Sequence, residues 1–285
     1  MGIAMEFMEE LHSYELEALQ AFIRLCDKHN LAYFVIGGTL LGAVRHHGFI
    51  PWDDDVDVAM PRKDYDKLLK LAKELPSPLV LEDYHFTKGF RSYFAKIRNG
   101  SIEITEALTN NKADKRVGYL IDILPIDGTP NALPLRKLYY AKVLFLRFLC
   151  GAANVHTGIR TSRPKWEQNV LKACRAVKLY RILQIKQIYE WMDKLFHRQK
   201  VETSLYSGTI TGAYKTHEIV PTAWFGIKKE PVYVTFETIQ VRAPKYYKRY
   251  LHHMFGDYKE LPPESERKVH YLGTIEKKRQ NGVVV

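Results

Sequence analysis

Apolar residues recur at helical spacing across residues 5–29, at Leu11, Leu16, Leu19, Phe22, Ile23 and Cys26, which predicts an amphipathic helix. A short apolar run, LAYFVIGG (31–38), then reads as a strand ending in two glycines. Thr39 is placed to cap a helix running through Val44. Pro51 in GFIPWDDD forces a turn, and VDVAM (56–60) is a strand. Pro61 opens a further helix, RKDYDKLLKLAKEL, at its natural first position. PLVLEDY, RSYFAKIRNG and GYLIDILPID (118–127) continue as strands. Later, VYVTFETIQVRA is strand-rich, and PKYYKRYLHHMFG is a helix closed by Gly256. Between these groups, PLRKLYYAKVLFLRFLCGAA and, after a break at SRP (162–164), KWEQNVLKACRAVKLYRILQIKQIYEWMDKLFHRQK read as helices. The fold class is therefore α+β, a mixed β-sheet core with flanking helices and a helical insertion at 134–200.

Composition adds little until charge is located. At 285 residues, 46% apolar and 26% charged, the chain suits one large domain over 1–285. The core is expected over 31–133 and a completing segment over 201–285. Three cysteines without a CxxC pair argue against a disulfide framework or a cysteine zinc site. The first residues carry acids where a signal peptide needs an apolar run, and VLFLRFLCGAANV (143–155) is too short to span a bilayer. A cytoplasmic protein is expected. The net charge is +11, and residues 134–200 hold 15 Lys and Arg against 3 acids, so this block supplies the whole excess. A solvated basic face, an anionic membrane surface and nucleic acid all fit that charge.

The candidate chemistry sits in GGTLLGAVRHHGFIPWDDDVDVAM (37–60), where Asp53, Asp54, Asp55 and Asp57 crowd together. On a strand, Asp55 and Asp57 project from one face, roughly 7 Å apart. Such a pair is costly unless a cation offsets the repulsion, and hard oxygen ligands at that spacing suit Mg²⁺ or Mn²⁺. A calcium loop fails, because Val58 stands where the turn glycine belongs and Asp64 replaces the closing Glu. Asp122, alone in the apolar YLIDILP, must be paired, hydrogen-bonded or a metal ligand. Gly37 and Gly38, before a helix, can let backbone amides approach phosphate, or simply make a tight turn. Lys96 and Arg98 would share one strand face, either toward phosphates or as an exposed basic edge.

A strand closed by Gly-Gly, an Asp-x-Asp strand and a lone Asp on a later strand is the layout of the nucleotidyltransferase fold. More closely, the chain resembles the LicD family of phosphotransferases, whose relatives include fukutin and fukutin-related protein. The resemblance is carried by GGTLLGAVRHHGFIPWDDDVDV, KIRNGS (96–101), GYLIDILPIDG (118–128) and PKYYKRYLHHMFGDYKELPPESERKVH (244–270), while 134–200 matches no motif.

The resemblance implies an enzyme that moves phosphocholine from CDP-choline to a sugar hydroxyl of a teichoic acid precursor or other bacterial surface glycan. Asp55 and Asp57 would hold Mg²⁺ or Mn²⁺, with Asp122 as base or further ligand. Gly37, Gly38 and Thr39 would line the diphosphate. Arg45 and His46 lie among the family's polar site positions. Lys96 and His270 are candidate phosphate or acceptor contacts. Asp53 and Asp54 would bind groups surrounding the metal ligands or hold the turn, Asp54 the turn. Trp52 and Trp224 are candidates for the rings that a quaternary ammonium needs. A lipid-linked glycan acceptor gives the basic block a motive, contact with the inner face of an anionic membrane. Alternatives are another CDP-alcohol donor such as CDP-ribitol, or an RNA-directed nucleotidyltransferase. With no RNA-binding motif in the chain, no nucleic acid partner is expected.

Overall fold

The computed structural model describes residues 2–106, 114–156, 158–159, 164–210, 218–264, 267, 273–277, 279–280 and 283–284. It separates into two compact units, residues 1–126 with 207–285, and residues 127–206. The fold is mixed α and β, as the patterning implies.

The first unit opens with α1 (Gly2–Lys28). Its apolar stripe, including Leu11, Leu19, Phe22 and Cys26, is buried, whereas Leu16 and Ile23 are half-buried. Then come β1 (Phe34–Val35), α2 (Gly37–Arg45), β2 (Val56–Pro61), α3 (Arg62–Lys70), β3 (Leu79–Glu82), β4 (Ala95–Glu106) and β5 (Asp114–Gly128). The sheet runs in the order β1-β2-β5-β4, and β4 also pairs with β3. β2 and β5 are parallel; β1–β2, β3–β4 and β4–β5 are antiparallel. Val56, Val58, Ile121 and Ile123 are fully buried in this layer, so strand alternation leaves Asp57 and Asp122 on the opposite, half-exposed face.

α2 starts two residues before the expected Thr39 cap. Its N-cap position is Ile36, with no side-chain cap bond. The Thr39 hydroxyl is spent elsewhere, accepting the backbone N–H of Asp57 at 2.8 Å. A tertiary bond thus replaces the local one.

After the helical unit, the first unit goes on to a hairpin, β6 (Val232–Phe236) and β7 (Ile239–Ala243), and to the helix Tyr247–Phe255. A final strand, Gly273–Lys277, adds to β4. The hairpin turn supports the loop ahead of the aspartates. The N–H of Glu237 donates to the His47 carbonyl at 2.7 Å, and the Glu237 carboxylate accepts the Phe49 N–H at 3.0 Å.

The second unit holds α4 (Leu133–Ala153), α5 (Lys165–Ala176) and α6 (Ile185–Phe196). The long pattern from Lys165 to Lys200 breaks at Lys178, whose left-handed backbone (φ +55°) ends α5 before a single 3₁₀ turn. Ala152, Val155 and Leu171 form its core, with Phe148, Tyr180 and Leu183 packed against them. Among the described residues no helix is long and apolar enough to cross a membrane.

Candidate functional site

The site is built on one row of the sheet. Asp57 stands opposite Asp122 across the parallel β2–β5 pair. Asp122 stands opposite Lys96 across β5–β4, and Lys96 opposite Glu82 across β4–β3. Four strands therefore bring four charged residues, distant in sequence, into lateral register. The Lys96 ammonium donates to both carboxylate oxygens of Asp122, at 2.6 and 2.8 Å. Glu82, 9% exposed, closes the row by accepting from Arg98 Nε and from the Tyr119 hydroxyl, each at 2.8 Å. Arg98 is thus occupied by Glu82, while Lys96 faces the carboxylates.

The WDDD turn feeds into the top of β2, beside the start of α2. Gly37 has φ +55°, and a Cβ there would lie 2.9 Å from Asp57 Oδ2. A Cβ on Gly38 would collide with Asp53 Oδ2. Both glycines are needed because two carboxylates stand over the helix N-terminus, where the helix dipole favours negative charge. One oxygen from each of Asp53, Asp54 and Asp55 lies within 4.8 Å of the others.

Crowding shows in the acid–base behaviour. Asp55 reaches solvent, yet desolvation by its neighbours, then the charges of Asp53, Asp54 and Asp122, push its carboxyl up to about 7. Asp57 is raised well above the usual carboxylate range, first by burial and then by Asp55, Asp122 and Asp53. Lys96 opposes both shifts without cancelling them. Such a set of hard oxygen donors, short of positive charge, fits a divalent cation such as Mg²⁺.

Three further participants, Glu15, His12 and Glu82, take their places only through the fold. Glu15 of α1 is fully buried, and among the described residues neither carboxylate oxygen has a hydrogen-bond partner. Burial, followed by the charges of Asp55, Asp54 and Asp53, raises its carboxyl well above the ordinary value. His12, one turn earlier, ties the same helix to the turn by donating from Nε2 to the Asp53 carbonyl at 2.8 Å. A signal for Glu15 existed, since it occupies a position of the α1 apolar stripe, four residues from both Leu11 and Leu19. Glu82 left no such trace, because its neighbours come from other strands.

The remaining candidates are dispersed. Arg45 Nη1 donates to the carbonyls of Tyr258 and Glu260, at 3.2 and 3.1 Å, and so anchors the segment after the last helix. The Trp52 ring lies under the Arg267 guanidinium (5.5 Å) and meets His46 edge-on. Trp224 contacts His253 edge-on at 5.7 Å. His270 lies outside the described residues.

Residues 30–112 match the family model described as LicD/FKTN/FKRP, nucleotidyltransferase domain. Over 270 residues the chain is 27% identical to the lipopolysaccharide cholinephosphotransferase LicD of Haemophilus influenzae, covering 90% of this chain and 93% of that protein. Shorter matches join it to uncharacterised proteins of Rickettsia typhi (44% over 54 residues, 18% of each chain) and Rickettsia prowazekii (52% over 40 residues, 14% of this chain and 15% of that one).

Proposed function

We propose that this chain, which carries a LicD-type nucleotidyltransferase domain, transfers phosphocholine from CDP-choline to a sugar hydroxyl of a bacterial surface glycan, such as a teichoic acid precursor, releasing CMP. One observation carries the reading: Asp57 and Asp122 share a register position on adjacent parallel strands, with Asp55 two residues away and charge-linked to both. The likeness to a cholinephosphotransferase along nearly its whole length supports the choice of group transferred.

Asp55, Asp57 and Asp122 would hold Mg²⁺ or Mn²⁺, which when bound neutralises charge on the phosphate oxygens. The protein supplies position. The N-terminal amides of α2 at Gly37, Gly38 and Thr39 offer donors to the diphosphate. Asp122, oriented by the two Lys96 hydrogen bonds, accepts the proton of the acceptor hydroxyl. The hydroxyl oxygen bonds to the phosphorus bearing choline, the P–O bond to CMP breaks, and CMP leaves. Positioning and electrostatics carry most of such a transfer. The reading places the enzyme in the cytoplasm, at the inner face of the membrane, where a nucleotide-linked donor meets a lipid-linked acceptor.

Calorimetric titration with CDP-choline, CDP-ribitol and CDP, with and without Mg²⁺, tests it. Mg²⁺-dependent binding of CDP-choline above CDP is expected. Equal affinities for CDP and CDP-choline would remove the choline assignment, and preference for CDP-ribitol would replace it. Lys96→Met separates two roles for that side chain. Its ammonium competes with a metal for Asp122, so Mg²⁺ should bind more tightly in the variant, by about tenfold for one nearby unit charge. CDP should bind more weakly if Lys96 also meets phosphate. Unchanged Mg²⁺ affinity would place the metal away from Asp122.

A further inference from the structure

We propose that the seam between α4 and α6 is a docking surface for an anionic phospholipid bilayer. The inference goes beyond the transferase reading and rests on the helical unit alone.

The seam forms a groove of about 320 Å³. Phe145 and Leu146 of α4 and Trp191 and Leu195 of α6 are its apolar lining, and Lys142, Lys194 and Arg198 are its cations. The spacing comes from helix geometry. Leu138, Lys142 and Phe145 repeat at four and three residues on α4, Trp191 and Lys194 lie three apart on α6, and Arg198 follows just beyond the end of that helix. Phe145 is 60% exposed, Leu138 54% and Trp191 43%, which is unusual for rings and branched chains on two packed helices.

The groove is part of a wider bias. Twelve of the eighteen large apolar side chains that are exposed among the described residues belong to residues 133–206, among them Trp166, Val177 and Ile182. The same stretch carries the whole excess positive charge. Exposed rings and aliphatics interleaved with Lys and Arg match the boundary of a bilayer. There acyl chains take the apolar groups and anionic headgroups the cations. A second copy of the chain fits poorly, since a symmetric contact would press two like-charged faces together. Nucleic acid would use the cations but leave Ile182, Val177 and Phe145 without a partner.

The test is flotation of the full chain with vesicles of phosphatidylcholine alone and with phosphatidylglycerol added. Binding to the anionic vesicles only, weakened at high salt, is expected. Phe145→Ser with Trp191→Ser should abolish it, as should a triple change of Lys142, Lys194 and Arg198 to Glu. Circular dichroism of both variants checks that the helices persist. The Trp emission should shift to the blue on anionic vesicles, and Trp191→Phe should remove much of that shift. Absence of binding to anionic vesicles would overturn the proposal. So would binding that survives both sets of changes, or light scattering that shows a dimer dissolved by Phe145→Ser with Trp191→Ser while vesicles are ignored. CDP-choline binding measured on the same samples reports on the transferase site separately.

Discussion

Asp57→Asn should lower phosphocholine transfer by about 10³-fold or more, the scale on which losing one electrostatic element of a transition state is felt. Asn keeps the shape of Asp and removes one unit of charge from a place where charge is already crowded. Asp57 is pushed to hold its proton by burial and by Asp55, Asp122 and Asp53. Without metal the variant should therefore be at least as stable as the wild type, while Mg²⁺ should stabilise it much less. Thermal melts with and without Mg²⁺, run beside a transfer assay, check both halves. A variant that melts earlier in the absence of metal would show that the Asp57 charge holds the fold. Transfer within a few-fold of wild type would show that it is no ligand. Asp122→Asn should resemble it in activity, but it also removes an acceptor of the Lys96 ammonium, so some stability should be lost as well.

Raising the pH should destabilise the metal-free protein. Asp55, Asp57 and Glu15 all have carboxyls raised in the folded chain, Asp55 to about 7. A carboxyl whose folded value is raised binds more protons folded than unfolded, so the fold keeps its full stability below the unfolded value of about 4. It loses stability as pH climbs toward the folded value. For Asp55 the window therefore runs from about pH 4 to about pH 7. The melting temperature without metal should fall by several degrees across it. Saturating Mg²⁺ should flatten the slope, because the cation takes over the neutralising task of the protons at the aspartates. Glu15→Gln should also reduce the slope, since it removes a buried carboxyl that has no hydrogen-bond partner among the described residues and weakens the repulsion around Asp53, Asp54 and Asp55. A metal-free melting temperature that rises between pH 5 and pH 8 would contradict the crowding read from the site.

The most informative signal in the sequence was local chemistry that violates local physics. Four aspartates beside an apolar strand, and Asp122 inside another, demand an explanation on sequence alone, and the structure puts Asp57 and Asp122 in one register row. The α+β layout was legible for a similar reason, because strand and helix periods are properties of short windows. What stayed hidden is set by pairing between distant segments. Glu82 and Lys96 are neighbours only because β3 lies against β4, and no window contains both ends of that relation. Thr39 looked like a cap because capping is a local habit, yet its hydroxyl is claimed by Asp57, eighteen residues on. Glu15 was visible as an acid within an apolar stripe, but only the burial of that stripe turns the oddity into a buried carboxyl beside the aspartates.

The sheet order β1-β2-β5-β4 has a consequence for the chain as it is made. β2 meets its neighbour on one side early, since β1 precedes it. Its other neighbour, β5, is completed only at Gly128, after β3 and β4 have been synthesised. Until then the edge bearing Asp57 is open, and β4 has no strand joining it to β2. A nascent chain stalled in that interval, including one ending at residue 112 where the family match stops, exposes the apolar face of β2 and lacks Asp122, the member of the charged row that joins Asp57 to Lys96. Ribosome-bound intermediates of this length are where chaperone dependence should be concentrated.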